Sequence, residues 1–311
     1  MRILFASLQY DYGDASRGES FEYVTFFKTL QGMPDLEVEF FSVDERMRSV
    51  GRDGMNEELL SRVKEYEPDL LFCFLFEDEI KREIIEFITR KTRSKTFNWF
   101  ADDHWRLPIF SRYWAPVFTK VSTTDSEAIE KYKNYGISNV IKTQWAANSS
   151  VFKPSPAIGP LGVTFVGQKI GKREQFVSYI KSKGMNVEAF GQGWNNGRVS
   201  LPKMVEIFSS SKINLNFVQI PFIEIRKIHK IIAKLFITKS AGKFVLEVGN
   251  FKDNVSSLLA KRSLMIKGRN FEVPACGGFL LTGYADNLKD YYVPGKEIVV
   301  FENLDDLVDK C

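Results

Sequence analysis

The stretch Lys267-Gly268-Arg269-Asn270-Phe271-Glu272-Val273-Pro274-Ala275-Cys276-Gly277-Gly278-Phe279-Leu280-Leu281-Thr282 sets cations, one acid and helix punctuation at a spacing suited to an anion. Pro274 is tolerated only near a helix start, and Gly277 is a natural left-handed stop. The pattern therefore predicts a short helix opening at Arg269 or Asn270, then a turn and a buried strand. A helix start carries unpaired N–H groups and partial positive charge, and Lys267 and Arg269 strengthen its preference for phosphate. Glu272, in the first turn, suits the dipole and can also accept hydrogen bonds from both hydroxyls of a ribose. An ordinary helix-to-strand turn with a charged rim fits the same residues.

Asp102, Asp103 and His104 are the second group of chemical interest. They follow the apolar run 96–101, whose composition predicts an inner strand. A partly buried carboxylate at such a strand end has a raised pKa and can take the proton of an attacking hydroxyl. Asp in a post-strand turn also bonds nearby backbone amides, which is the structural reading of the same pair. Neighbours on a strand point opposite ways, so Asp102 and Asp103 cannot readily clamp one ion, and no metal site is expected. Gly167 and Arg173 stand in a strand–loop–helix over 162–183. A solvated helix position is one reading of Arg173.

The organising stretch, followed by Tyr284-Ala285-Asp286 and Pro294-Gly295-Lys296-Glu297-Ile298, resembles the C-terminal domain of CgeB-like glycosyltransferases. Weaker agreement runs upstream through Phe165-Val166-Gly167, the Asp102-Asp103 pair and the opening strand. The resemblance implies an α/β chain of GT-B fold, with two Rossmann-like domains facing each other across a cleft. It also implies metal-independent transfer of a sugar from a nucleotide-diphosphate sugar to an acceptor: a cell-surface glycan, a lipid-linked glycan or a protein. No cofactor beyond that donor is implied. Many GT-B enzymes carry a Glu-x7-Glu pattern in which the second Glu holds ribose and the first the donor sugar. Glu272 matches the second position, but Leu264 stands eight residues earlier, so the sugar contact and the stereochemical class stay open. Expected donor contacts are Gly167, Arg173, Lys267, Arg269, Asn270, Glu272, Gly277 and Gly278, and the catalytic candidates are Asp102, Asp103 and His104. A nucleotide-sugar-binding or regulatory protein that keeps the fold without turnover is the alternative. A dehydrogenase is disfavoured, because the first loop has no Gly-x-Gly-x-x-Gly.

Composition narrows the remaining classes. The 311 residues are 44% apolar, enough for one large or two medium cores. Lys and Arg total 43 against 39 acids, a charge of +4, which is too mild to argue for nucleic acid. Three scattered cysteines and two histidines make a disulfide scaffold or a structural zinc site improbable. With no signal-like start and no apolar run of membrane-spanning length, the expectation is a cytoplasmic protein.

The elements that must position these residues alternate strand and helix. Strands are expected over 2–8, 36–43, 70–76, 96–101, 117–123 and 140–144, with helices over 21–30, 57–66, 79–90 and 126–135. Residues 148–160 read as a linker, which puts a boundary near 150 and gives domains 1–150 and 151–311. The second domain repeats the plan with strands 162–167, 186–190 and 213–218 and helices 172–183 and 202–209. It ends on strand 297–301 and a helix from 303 that the terminus cuts off, so its closing helices are expected to be missing. Between them, 223–243 reads as a basic amphipathic helix. Ile228, Ile231, Ile232, Leu235 and Phe236 share one face, and Arg226, Lys227, Lys230 and Lys234 largely the other. Such a helix either packs on a core or lies on an anionic membrane, which would place the protein at the inner face of that membrane.

Overall fold

The computed structural model describes residues 1–311 apart from 157–158, 219–234, 241–242, 247 and 261–263. In chain order the first stretch holds β1 (Arg2–Ser7), α1 (Lys28–Gln31), β2 (Glu37–Ser42), α2 (Val43–Tyr66), β3 (Leu70–Cys73), α3 (Arg82–Lys91) and β4 (Lys95–Phe100). It continues through α4 (Asp103–Arg106), α5 (Arg112–Trp114), β5 (Lys120–Thr123), α6 (Ala128–Asn134) and β6 (Val140–Lys142). Then come β7 (Leu161–Val166), α7 (Arg173–Ser182), β8 (Val187–Phe190), α8 (Leu201–Ser210) and β9 (Ser211–Asn216). The rest is β10 (Ile237–Ser240), β11 (Lys243–Leu246), α9 (Phe251–Ala260), α10 (Arg269–Ala275), β12 (Leu280–Gly283), β13 (Val299–Phe301) and α11 (Leu304–Asp309).

Two compact units result: Met1–Gln144 with Lys227–Ala260, and Trp145–Arg226 with Lys261–Cys311. The first is built on a six-stranded parallel sheet of order β2-β1-β3-β4-β5-β6. Parallel strands need crossovers that cover both faces, so β1 and β3 are apolar on each side. One face packs Leu4, Ala6, Leu71, Cys73 and Val121 on Met55 and Leu59 of α2, Ile85 and Ile88 of α3 and Tyr132 of α6. On the other, the Phe5 ring meets those of Phe26, Phe27, Phe40 and Phe72. The helix expected over 21–30 is present as a wide-turn segment, Glu22–Phe27, that runs into α1. α2 opens well before the expected residue 57 and breaks at Gly51, whose φ of 73° ends one helical piece and starts the next.

The second unit carries a five-stranded parallel sheet, β13-β12-β9-β7-β8. Val166 and Leu280 bury one face against α8 and α10. Phe165, Leu215 and Leu281 bury the other against Val177 and Ile180 of α7 and Leu307 of α11. Thus α10, the helix of the organising stretch, lies beside α8 on one face of the sheet.

The helix expected over 223–243 is corrected in part. Residues 223–234 lie outside the described residues, but Ile237–Ser240 and Lys243–Leu246 form an antiparallel pair, Ile237 opposite Leu246. β-Branched Ile237 and Thr238 favour that extended backbone. α9, which the sequence pattern did not suggest, packs on α4 and the turn that follows it, with Arg112 and Asp253 paired at 2.6 Å. No helix among the described residues is long and apolar enough to cross a membrane.

Candidate functional site

Helix α10 opens at Arg269 and, being antiparallel to β12, brings its first turn to the carboxyl edge of the second sheet. The position is fixed from below. Asn270 is fully buried, and its Oδ1 accepts from Lys267 N at 3.0 Å and from Asn216 Nδ2 at 3.3 Å. Asn216 Nδ2 also reaches Thr282 Oγ1 at 3.0 Å, and Tyr292 OH donates to Asn270 O at 2.8 Å. These bonds lock the Lys267 loop to β9 and β12, so Asn270 acts as a positioning residue whose side chain is committed to the protein.

Gly277 and Gly278 stand at the other end of α10. Gly277 supplies the left-handed exit, with φ of 72°. A Cβ on Gly278 would come within 2.5 Å of Phe208 O and 2.8 Å of Asn214 Nδ2, so only glycine lets α10 approach α8 and β9. Both build the turn, and the structure does not bring them to the cations.

Arg269, Glu272, Arg173 and Gly167 do come together. Arg269 Nε donates to Val166 O, the last carbonyl of β7, at 3.3 Å, and its Nη1 pairs with the buried carboxylate of Glu272. A Cβ at Gly268 would lie 3.1 Å from Glu272 Oε1, so the glycine makes room for that carboxylate. Arg173 Nη1 donates to Gln168 O at 3.0 Å and lies near Gly167, while its buried Nε has no hydrogen-bond partner among the described residues. Burial lowers the pKa of Arg173, and burial together with the neighbouring Arg173 charge pulls Arg269 down to about 10. Two guanidiniums thus share the end of β7 with one carboxylate. Lys267 stands on the loop just before α10, its Nζ 5.9 Å from the centre of the Trp145 ring. The Gly167 carbonyl accepts from Trp194 Nε1 at 2.9 Å and sits where a Cβ on Gly191 (φ 128°) would clash at 2.3 Å, so this loop is tightly closed. Leu264, at the place of the missing first Glu, packs against the core, and its carbonyl accepts from Asp286 N at 2.7 Å.

In the first unit Asp102 and Asp103 part company. Asp103, 1% exposed, accepts from Tyr132 OH at 2.9 Å, and burial pushes its carboxyl up to about 6 despite the hydroxyls around it. It ties α4 to α6. Asp102 is half-buried at the end of β4, where its carbonyl takes the Trp105 and Arg106 amides at 3.1 and 2.9 Å, and His104 is half-buried on α4. Two groups that the motifs did not single out lie beside them. Arg106 donates through Nη2 to Phe76 O at 2.7 Å and covers the Phe110 ring at 4.0 Å. Glu79, pushed up to about 7 by burial, accepts from the Glu77 amide at 2.7 Å. Arg106, four residues after Asp102 on a helical turn, was the readable signal. Glu79 gave none.

Residues 172–311 match the family model described as glycosyl transferase-like. No curated protein sequence matches the chain. Among solved structures, the lipopolysaccharide outer core galactosyltransferase WaaB in its apo form superposes with a TM-score of 0.52 at 12% identity, over 99% of this chain and 88% of WaaB. Anabaena Alr3699/HepE, solved with UDP and glucose, gives a TM-score of 0.59 at 9% identity, over 100% and 88%. A putative UDP-N-acetylglucosamine 2-epimerase from Listeria monocytogenes gives 0.50 at 7%, over 99% and 86%. The C-terminal part of the chain is therefore a glycosyl transferase-like domain. The fold that carries it is GT-B, a fold which hosts more than one chemistry, so activity must be argued from the site.

Proposed function

We propose that the chain is a glycosyltransferase that draws its sugar from a nucleotide-diphosphate donor, whose diphosphate sits against Arg173, Arg269 and Lys267 beyond the carboxyl end of β7. The observation that carries this reading is the placing of two half-buried guanidiniums close together at the end of β7, Arg269 paired with Glu272 and Arg173 with an Nε that has no hydrogen-bond partner among the described residues. Like charges in a poorly solvated place are costly, and a bound dianion relieves that cost. The same cations would stabilise the charge that grows on the departing diphosphate, so no metal is invoked. Glu272 aligns Arg269 with one oxygen and offers the other to the ribose. Asp102 is the candidate base for an acceptor hydroxyl, whereas Asp103 is enclosed and serves the fold. The acceptor is a glycan or a glycan-bearing lipid or protein.

UDP, the nucleotide bound by the Anabaena protein, is the first ligand to try. Calorimetry on Arg173→Ala and Arg269→Ala should show UDP affinity reduced tenfold or more, since a charge-assisted phosphate contact is worth roughly 1.5–3 kcal/mol. Uridine affinity should change less than about twofold. Equal losses for both ligands, or no binding of any of UDP, GDP, dTDP and CDP by the unmodified chain, would overturn the assignment.

A further inference from the structure

The loop after β1, residues 8–20, takes no part in the donor site, yet it is braced from several sides. Buried Asp44, in the first turn of α2, accepts from the Gln9 and Tyr10 amides at 2.8 and 3.0 Å and from Ser42 Oγ at 3.0 Å. Ser20 N donates to Gln9 O at 2.8 Å, Ser20 Oγ to Leu8 O at 2.7 Å, and Asp11 N to Gly18 O at 3.0 Å. What this frame holds out is Tyr12. Its side chain is among the most exposed large ones, at 58%, and its backbone is left-handed, φ 56° and ψ 27°. A bulky residue rarely adopts that conformation unless its surroundings impose it, and such positions cluster where ligands bind.

The Tyr12 ring meets Phe76, from the loop after β3, edge-on at 5.3 Å, with the Arg17 guanidinium 4.6 Å from its centre. Phe76 O in turn accepts from Arg106, on which Asp102 exerts the largest influence of the surrounding acids. The aromatic pair and Asp102 thus share the carboxyl edge of the first sheet, where α/β sheets take their ligands. The geometry points to a subsite for a neutral hexose ring on Tyr12 and Phe76. A pyranose has a C–H face that packs on an aromatic ring and a rim of hydroxyls that donate to carboxylates. The neighbouring acids are Asp11, paired with Arg17 at 3.0 Å, Asp102, and Glu22, whose carboxyl is pushed up chiefly by burial and further by the charges of Asp11 and Asp44. Arg17 is committed to Asp11 and Arg106 lies in the field of Asp102, so an anionic sugar would have to compete with these carboxylates for its counter-charge. This subsite rests on the reading of the chain as a glycosyltransferase, whose acceptor it would receive.

Saturation-transfer NMR on the full chain, with the methyl glycosides of glucose, galactose and N-acetylglucosamine and with methyl glucuronide, tests it. Signal from at least one neutral glycoside should exceed that from the glucuronide, survive Tyr12→Phe and fall at least fivefold in Tyr12→Gly. Glycine suits the left-handed backbone, so Tyr12→Gly should melt no lower than the unmodified protein, which separates lost binding from lost folding. UDP calorimetry on the same variants should be unchanged. Failure of the unmodified chain to bind UDP would strike the donor assignment, and the glycoside signals would still judge Tyr12. Absence of neutral-glycoside signal, or equal signal in Tyr12→Gly, would overturn the subsite.

Discussion

Glu272 shows how a residue's chemistry depends on what the fold places beside it. From sequence it was a ribose acceptor in a first helical turn, and in the structure it is also the acid paired with Arg269 among the described residues. Removing one partner of a buried ion pair leaves a charge uncompensated, at roughly 3–5 kcal/mol. Arg269 keeps 31% of its side chain exposed, so Glu272→Gln should cost somewhat less, about 2–3 kcal/mol in urea unfolding. A variant as stable as the parent would show that Glu272 does not hold Arg269. Asp103 makes the converse case. Its carboxyl titrates near 6 when folded, above the ordinary carboxylate value, so between about pH 4 and 6 the folded state keeps a proton that the unfolded chain has released. Stability should therefore fall as pH rises through that window, by on the order of 3 kcal/mol from this group, and stay reduced above it. Asp103→Asn should flatten the slope. An unchanged urea-derived profile from pH 4 to 7 would mean that the carboxyl is not held protonated.

At the scale of elements, the legible parts were those whose residues declare both their period and their ends. The run 70–76 is apolar on both faces because β3 lies inside a parallel sheet, and Gly277 closes α10 because its φ is positive. Glycine at 278 was visible, but not its reason, a close approach to Phe208 O on a helix seventy residues away in sequence. Gly278→Ala should cost about 1–3 kcal/mol, the usual scale for overpacking, without altering φ, and urea denaturation would read it directly. The hairpin β10–β11 was misread because the spacing of Ile228, Ile231, Ile232, Leu235 and Phe236 ran on into residues that pair instead. Ser240-Ala241-Gly242 carried the turn signal that should have ended the helix. α9 and the bond from Tyr132 to Asp103 are tertiary facts. Nothing local announces a partner 29 positions away. The Arg112–Asp253 pair spans 141 positions and keeps only 18% and 24% of its side chains exposed. A double-mutant cycle with Ala at both should give a coupling of about 1 kcal/mol, above the few tenths of an exposed pair. A coupling near zero would make the contact incidental.

On the scale of the whole molecule, the matched domain and the folding units do not coincide. The glycosyl transferase-like match runs without a break over 172–311, yet the described part of Lys227–Ala260 packs with the unit built on β1 to β6. Each unit has its own sheet and core, so a single all-or-none transition is not the default expectation. Calorimetry should resolve two transitions, or one that ligand broadens. A ligand that binds only a folded state raises the stability of the unit that holds it, by RT ln(1 + [L]/Kd), or about 2.7 kcal/mol at a hundredfold excess over Kd. UDP should therefore shift the transition that Gly278→Ala lowers and leave in place the one that Asp103→Asn changes. The decisive variant is Asp253→Ala. Sequence order puts Asp253 between β9 and α10 of the unit proposed to bind the donor, but its partner is Arg112, so its loss should move the transition that UDP does not move. If Asp253→Ala instead lowered the UDP-sensitive transition alone, α9 would belong energetically to the donor unit, and the division of the chain described above would be wrong.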